Sequence, residues 1–219
     1  MHMGERFYDE SELERFGFKS IGGNVKIKRN VGIYFTENVS IGNNVRIDDF
    51  TIIVASKEPV ILGSNINIAS HCYIAGSEGF IMKDFSTFAP GVMVFTGSDD
   101  YSGNKLTGAV VPKIYTGGAH GKVVIERHNI TGAGTIIFPD ITIEEGVAVG
   151  ALSLVNRDLE AWGIYAGIPV KRLKSRLRGL LTFEKEYKEK YEQKNSICGA
   201  EHYPKGSEYC SRCSRERVL

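Results

Sequence analysis

The chain has 219 residues, of which 42% are hydrophobic, and it carries a formal net charge of +1 at pH 7. This length is enough for one large core, or for one core with a small appendage. The near-zero charge gives no electrostatic basis for a nucleic-acid partner or an anionic membrane. No apolar run reaches membrane-span length, and the first residues lack the apolar stretch of a secretory signal. We therefore expect no membrane insertion and a cytoplasmic location.

The first predicted element is a short amphipathic helix over residues 8–18. Leu13 and Phe16 fall on one side of this helix, and Gly17 stands near its end. We assign residues 1–20 to an N-terminal segment built around it.

From Ile21 to Val155, an apolar residue returns at almost every sixth position. The repeating positions are Ile21, Ile27, Ile33, Ile41, Ile47, Ile53, Leu62, Ile68, Ile74, Met82, Phe88, Val94, Ile125, Thr131, Ile137, Ile143, Val149 and Val155. A period of six fits neither an α-helix nor a simple alternating strand. It is typical of a β-helix, in which three hexapeptides form one triangular coil. A sandwich of evenly spaced strands has no reason to keep this period.

The predicted fold class is therefore all-β, a parallel β-helix of about six coils over residues 21–169. Residues 1–20 cap its open end, because an uncovered end would present strand edges to other chains. Many hexapeptides have glycine second, at Gly22, Gly42, Gly63, Gly132 and Gly150. Glycine adopts tight-corner backbone angles without steric cost, so we expect these glycines to form the corners.

Three segments depart from the repeat. The positions Val94 and Ile125 lie 31 residues apart, which leaves about 25 extra residues in a loop over 97–121, and loops of that length are often functional. Residues 170–192 are predicted to form a helical extension. Residues 193–219 form a short polar tail that holds three of the four cysteines.

Three segments carry a resemblance to a known family: IGNNVRID, ITGAGTIIFPDITIEEGVAVGALSLVNRD and YAGIPVKRL. Together with the hexapeptides and the loop they resemble the left-handed β-helix acyltransferases, over roughly residues 8–180. The resemblance implies a left-handed coil and a homotrimer that binds acyl-CoA, as co-substrate, between neighbouring prisms. Within this family, the chain resembles the members that act on sugars. The resemblance thus implies a nucleotide-linked amino-sugar substrate, of the kind used in surface glycan biosynthesis.

The long loop lacks the histidine that many members of this family use as a general base. Asp99 and Asp100 stand in that neighbourhood instead. An aspartate of ordinary pKa is a poor base toward an alcohol, but it can attract and orient an amine and then accept its proton. We therefore favour N-acylation over O-acylation. The alternative reading of the pair is a turn cap with solvated carboxylates.

Two histidines are further catalytic candidates. His71 falls at an outward corner of the third coil, and His120 falls where the long loop rejoins the coils. Either can supply a base or bind substrate, although a single histidine more often has only a structural role. We expect His128 to be a surface residue.

Small residues on successive coils are candidates for binding the acyl donor. Small side chains and exposed amides suit a narrow groove for a pantetheine arm, and a basic run that follows the last coil suits the phosphates of CoA. The alternatives are plain corner residues and a solvated helix face. The candidate residues are Gly132, Ala133, Gly150, Ala151, Gly167, Lys171 and Arg172, and the run continues through Lys174, Arg176 and Arg178.

The tail contains a candidate metal set. Cys198, His202, Cys210 and Cys213 supply three thiols and an imidazole, which can form a tetrahedral structural zinc site. A reduced tail without metal is the alternative. Cys72 falls at an inward position and is expected to be a buried thiol.

Two classes of function fit these observations. One is an enzyme, an acyl-CoA-dependent N-acyltransferase, with sugar O-acetylation as the alternative chemistry. The other is a noncatalytic trimeric β-helix that binds a partner.

The zinc assignment predicts about one zinc per chain in protein purified without added metal. Replacing Cys210 or Cys213 with serine should release the zinc while the β-helix stays folded, because the tail lies outside the repeats. Elemental analysis measures the metal, and circular dichroism measures the fold. A metal-free protein with an ordered tail would rule the site out.

Overall fold

The chain forms a stack of triangular coils whose three sides are parallel sheets. The computed structural model describes residues 7–191. In that range the three sheets contain six, eight and six strands, and successive strands along the chain belong to successive sheets. The predicted parallel β-helix is confirmed.

We call the three sheets faces A, B and C. Face A consists of β1 (Ser20–Ile21), β4 (Val39–Ile41), β7 (Val60–Leu62), β10 (Phe80–Met82), β13 (Val123–Ile125) and β16 (Thr142–Ile143). Face B consists of β2 (Lys26–Ile27), β5 (Val45–Ile47), β8 (Ile66–Ile68), β11 (Thr87–Phe88), β14 (Ile130–Thr131), β17 (Ala148–Val149), β19 (Gly163–Ala166) and β20 (Lys171–Ser175). Face C consists of β3 (Gly32–Tyr34), β6 (Ile52–Val54), β9 (Tyr73–Ala75), β12 (Met93–Phe95), β15 (Ile136–Ile137) and β18 (Leu154–Val155). Six coils are complete, as predicted, and β19 begins a seventh.

The predicted inward positions form the core. Every one of them from Ile41 to Val155 is at most 4% exposed. Parallel pairing places each directly above its counterpart, so that Ile47 lies beside Ile68 and Ile68 beside Phe88. Each coil therefore buries its apolar residues against the coils above and below, which is the main stabilising contribution in this fold.

The regular spacing of the second-position glycines has a different cause from the one predicted. None of the second-position glycines has a φ in the left-handed region. A Cβ built on Gly132 would instead lie 2.4 Å from the Ala151 nitrogen of the next coil. The left-handed corner angles occur two residues later, for example at Asn44 and Asn65, with φ of 57° and 58°. These glycines thus permit close stacking of coils, and the corner prediction was wrong for them.

The N-terminal helix is shorter than the one predicted over residues 8–18. Helix α1 covers Glu10–Arg15 and begins with a capping box between Asp9 and Glu12. Leu13 on this helix is 3% exposed and packs into the core cluster at the first coil. A single 3₁₀ turn at Thr36–Asn38 precedes the second coil.

The C-terminal extension differs from the predicted helix over 170–192. Its first part is the strand β20, which pairs antiparallel with β19. The open edge of β19 offers hydrogen-bonding groups, so this segment satisfies them as a strand in place of a helix. Helix α2 then covers Leu180–Tyr191.

Within residues 7–191, no helix is long and apolar enough to cross a membrane. The predicted zinc ligands Cys198, His202, Cys210 and Cys213 lie outside the described residues. In the described part of the chain, no group of three or more His, Cys, Asp or Glu side chains is placed to hold a metal ion.

The register predicts that Ile68→Asp or Val149→Asp destabilises the protein by several kcal/mol, because each places an unpaired charge on the coil axis. Thermal unfolding should lose its cooperativity or shift to a much lower temperature. Asn67→Asp is the matched control, since Asn67 is the outward neighbour of Ile68 on β8, and it should unfold like the wild type. Equal stability of the Ile68 variant and its control would contradict the assigned register.

Candidate active site

The long loop leaves the prism at the edge between faces C and A. It begins after β12 on the fourth coil and returns to β13 on the fifth. Its two ends are held together by a bridge between Gly97 and His120 and by the Ser98 amide, which donates to the Ala119 carbonyl at 2.8 Å. The loop is thus a paired arm with a fixed base.

Asp100 stabilises the fold of this arm. Its Oδ1 accepts hydrogen bonds from the hydroxyl and the amide of Ser102, at 2.7 and 3.0 Å. Its Oδ2 accepts from the Lys105 amide at 2.9 Å. The Ser102 hydroxyl and amide, with the Lys105 amide, lower the pKa of the Asp100 carboxyl. Both oxygens are engaged and the group is a weakened base, which agrees with the turn-cap reading for this residue.

Asp99 is placed differently. Its Oδ2 accepts a hydrogen bond from the Gly108 amide at 3.2 Å. In the described part of the chain, no group donates to its Oδ1, and the side chain is exposed. Asp99 therefore presents one carboxylate oxygen to a ligand from a position that the loop holds.

His120 lies at the base of the same arm. Its Nδ1 is 3.7 Å from Oε1 of Glu78, which also pairs with Lys57. Hydrogen bonding to Lys57 lowers the pKa of Glu78, so this carboxylate is charged beside the imidazole. The structure thus brings His120 to the same segment as Asp99, as the sequence predicted from its position at the loop junction.

His71 lies at the opposite edge of face C. It forms the corner between β8 and β9 with φ of 62°, is exposed, and contacts the Phe50 ring at 5.0 Å between centroids. The loop leaves from the other edge of this face. Within one chain, the structure therefore does not unite His71 with Asp99 and His120.

The donor candidates lie on the His71 edge, between faces B and C. Gly132 and Gly150 use their amides for hydrogen bonds to the next coil, both at 2.8 Å. Ala133 and Ala151 are exposed, and within residues 7–191 neither of their amides donates a hydrogen bond. Two free donors thus stand one coil apart, roughly 4.8 Å along the axis.

A stripe of small outward residues runs beside this edge on face B. Strand register aligns the residues that follow β8, β11, β14 and β17 with the end of β19. The stripe runs parallel to the coil axis, next to the two free amides. Sequence analysis identified only part of it, since its members are separated by whole coils; they are Ala69, Ala89, Gly132, Gly150 and Ala166.

The remaining donor candidates lie beyond the last complete coil. Gly167 is exposed with φ of 108°, and its amide donates to the Ser153 hydroxyl at 3.1 Å. Lys171 and Arg172 are exposed on β20, which ends face B. These three residues lie at the end of the prism toward which the stripe of small residues runs.

The expectation that His128 is a surface residue was wrong. This side chain is 5% exposed, stacks on Phe85 at 5.4 Å between centroids, and lies 2.9 Å from Oε2 of Glu184. Helix α2 covers the corner through Glu184, which also pairs with Arg127 and Lys188. A contact that spans 56 residues leaves no signal in the hexapeptide pattern.

Cys72 takes the buried position that the sequence predicted. Burial raises the pKa of its thiol to about 11. A thiol of this kind is almost entirely protonated near neutral pH and cannot reach a ligand, so Cys72 does not act as a nucleophile.

The chain is similar over most of its length to known acyltransferases. No protein-family model matches the chain. The dTDP-4-amino-4,6-dideoxy-D-glucose acyltransferase of Escherichia coli is 40% identical over 182 residues, which are 83% of this chain and 95% of that protein. The crystal structure of AntD, an N-acyltransferase from Bacillus cereus, in complex with dTDP and 3-hydroxybutyryl-CoA is 42% identical. It covers 85% of this chain and 98% of that chain, with a TM-score of 0.81.

A maltose O-acetyltransferase from Clostridium difficile 630 shares the fold at 21% identity, with a TM-score of 0.53 over 80% of this chain and 81% of that one. The two closer matches extend over nearly the full length of their proteins, and this chain has six coils and an inserted loop. The chain therefore belongs to the hexapeptide-repeat family of acyl-CoA-dependent acyltransferases.

Proposed function

We propose that this protein transfers an acyl group from acyl-CoA to the amine of a dTDP-linked amino sugar. The observation that carries the proposal is the Asp99 carboxylate, which has one free oxygen on an ordered loop. Support also comes from relatives at 40–42% identity, which are a dTDP-amino-sugar acyltransferase and an N-acyltransferase bound to dTDP and an acyl-CoA. A free carboxylate suits an amine acceptor better than an alcohol.

The donor is assigned to the edge between faces B and C. The amides of Ala133 and Ala151 donate to the amide carbonyls of the pantetheine arm, which lies along the stripe of small residues. The basic residues Lys171 and Arg172 stand at the end of that stripe and attract the phosphates of CoA. Gly167 leaves room beside them.

The acceptor is assigned to the loop. Asp99 attracts the sugar ammonium group, which loses one proton to water, and it then orients the neutral amine toward the thioester carbonyl. The amine nitrogen forms a bond to the acyl carbon, the carbon–sulfur bond breaks, and the nitrogen loses a proton. That proton passes to the Asp99 carboxylate or to the departing CoA thiolate. Asp100 contributes by holding the loop in shape.

The complete site requires a homotrimer in this proposal. The stripe assigned to the acyl donor and the loop with Asp99 lie at opposite edges of face C. A neighbouring subunit packed on that face brings the two together. The outward residues of face C are apolar on every strand from β6 to β18, as an interface requires. Face A mixes outward Ser40 and Thr142 with apolar Ile61, Ile81 and Val124, and face B carries outward Arg46 and Asn67. The apolar set on face C is Ile52, Val54, Tyr73, Ala75, Met93, Phe95, Ile136 and Leu154.

The proposed location is the cytoplasm. Acyl-CoA and nucleotide sugars are cytoplasmic metabolites, and the reaction consumes one of each. The product is an acylated nucleotide sugar of the class that glycosyltransferases use to build surface glycans.

Asp99→Asn should lower kcat/KM for a dTDP-amino sugar roughly tenfold to a hundredfold, because it removes the charge that orients the amine. Binding of acyl-CoA should change less than twofold. Asp100→Asn is the matched control; it keeps an acceptor oxygen for Ser102 but loses the one for the Lys105 amide, so it should lower kcat/KM by less than Asp99→Asn does. Steady-state kinetics with separate titration of acyl-CoA measures both. A larger loss for Asp100→Asn than for Asp99→Asn would reverse the two roles.

The choice of amine over alcohol has its own test. The amino sugar should react at least a hundredfold faster than the matching hydroxy sugar nucleotide, because only the amine is nucleophilic without a strong base. Replacing His71 or His120 with alanine should then lower the rate less than Asp99→Asn does. Equal turnover of the alcohol, with a hundredfold loss for either histidine variant, would establish O-acylation with a displaced histidine base.

Met93→Glu should dissociate the trimer, because it places a charge in the centre of the apolar face C. Ile61→Glu is the control, since Ile61 has a similar exposed fraction, 38% against 40% for Met93, on face A. Light scattering after size exclusion should give three chain masses for the wild type and the control, and fewer for Met93→Glu. An unchanged trimer in the Met93 variant would remove face C as the interface.

A further inference from the structure

A cleft of about 510 Å³ lies between helix α2 and face B, at the edge between faces A and B. We call it the α2 cleft. Its walls include Phe85, Thr87, Ile130, Arg176 and Phe183. Of the basic run that sequence analysis proposed for the phosphates of CoA, the cleft contains Arg176 alone, and it contains none of the residues that we assign above to the acyl donor or the acceptor. It opens at a different edge of the prism. Its size is that of a small-molecule site.

Arg176 gives the cleft a positive charge without a counter-ion. Its Nη1 donates to the main-chain carbonyls of His128, Gly146 and Val147, at 2.7, 3.1 and 3.3 Å. These carbonyls fix the guanidinium in place but leave its net charge uncompensated. Within residues 7–191, no carboxylate lies within 4.0 Å of it. Partial burial lowers the pKa of Arg176, which indicates that water solvates this charge incompletely.

The carboxylate that lines the cleft does not balance this charge. Glu184 is already paired with Arg127 and Lys188 and lies 2.9 Å from His128. Arg127 and Lys188 do not line the α2 cleft, so Glu184 is paired with cations outside it. Arg176 has no carboxylate partner within the cleft, and an anionic ligand would supply one.

The walls favour a flat apolar group beside that anion. Ile130 is 45% exposed and Phe183 is 71% exposed, and both line the cleft with the ring of Phe85. An exposed aromatic and aliphatic surface beside a fixed guanidinium suits a ring that carries a phosphate.

We propose that the α2 cleft is a second ligand site, which binds an organic phosphate with a flat ring. The phosphate pairs with Arg176 and the ring lies between Ile130 and Phe183. A ligand held there touches both face B and α2, so it also stabilises the docked position of the helix. This site is independent of the acyl-transfer site.

Calorimetric titration of the full chain with 1-naphthyl phosphate tests the site. The expected result is one molecule bound per chain. 1-Naphthalenemethanol lacks the anion and inorganic phosphate lacks the ring, so each should bind at least tenfold more weakly. Saturating CoA or dTDP should leave the affinity for the probe unchanged.

Two variants test whether the probe binds in the α2 cleft. Ile130→Glu adds a negative charge to an outward, exposed wall position and should weaken the probe at least tenfold, whereas Ile61→Glu on face A should change it less than twofold. Arg176→Met should also weaken it at least tenfold, with folding checked by circular dichroism.

Three results would overturn the proposal: no binding of the probe, equal affinity in Ile130→Glu and Ile61→Glu, or displacement by CoA or dTDP. The last would assign the cleft to the transfer site. Because binding is measured without turnover, the outcome does not depend on which acceptor the enzyme uses.

Discussion

The stack of inward side chains along the coil axis is the constraint on which the rest of the molecule depends. One coil has too little interior to hold itself together, so each gains its stability from the coils above and below. Parallel pairing then fixes every outward residue relative to the axis. The stripe of small residues and the two free amides of Ala133 and Ala151 are consequences of that register, since they repeat once per coil.

The fixed coil register also separates the residues proposed for the acyl donor from those proposed for the acceptor. Donor candidates lie along one edge of face C and the loop with Asp99 leaves from the other, so a single prism cannot bring them together. A rigid solenoid has no hinge with which to close over a substrate, and in the proposed trimer the neighbouring subunit takes the place of a lid. Affinity for both substrates would then depend on subunit association as well as on the residues that touch them.

The sequence predicted the structural features that recur in every coil. It did not predict features that depend on a single contact between distant segments. The period of six identified the inward register, including Ile68 and Val149, because each position is tested again in every coil. The family resemblance drew attention to the Asp99 and Asp100 pair, but only the hydrogen bonds of Ser102 and Lys105 distinguish the two carboxylates. The burial of His128 could not be predicted, since the helix that covers it is remote in sequence and lies outside the repeat.

The last strands of the prism determine whether the stack of coils can grow by adding another chain. Nothing in a parallel coil limits the number of repeats, and an open last strand would accept the first strand of another chain and grow into a filament. Here β20 crosses that last edge in the antiparallel direction, with Lys171, Arg172 and Lys174 exposed along it. A second chain would meet reversed hydrogen-bonding groups and a row of like charges. The strand that follows the repeats thus opposes end-to-end growth through face B.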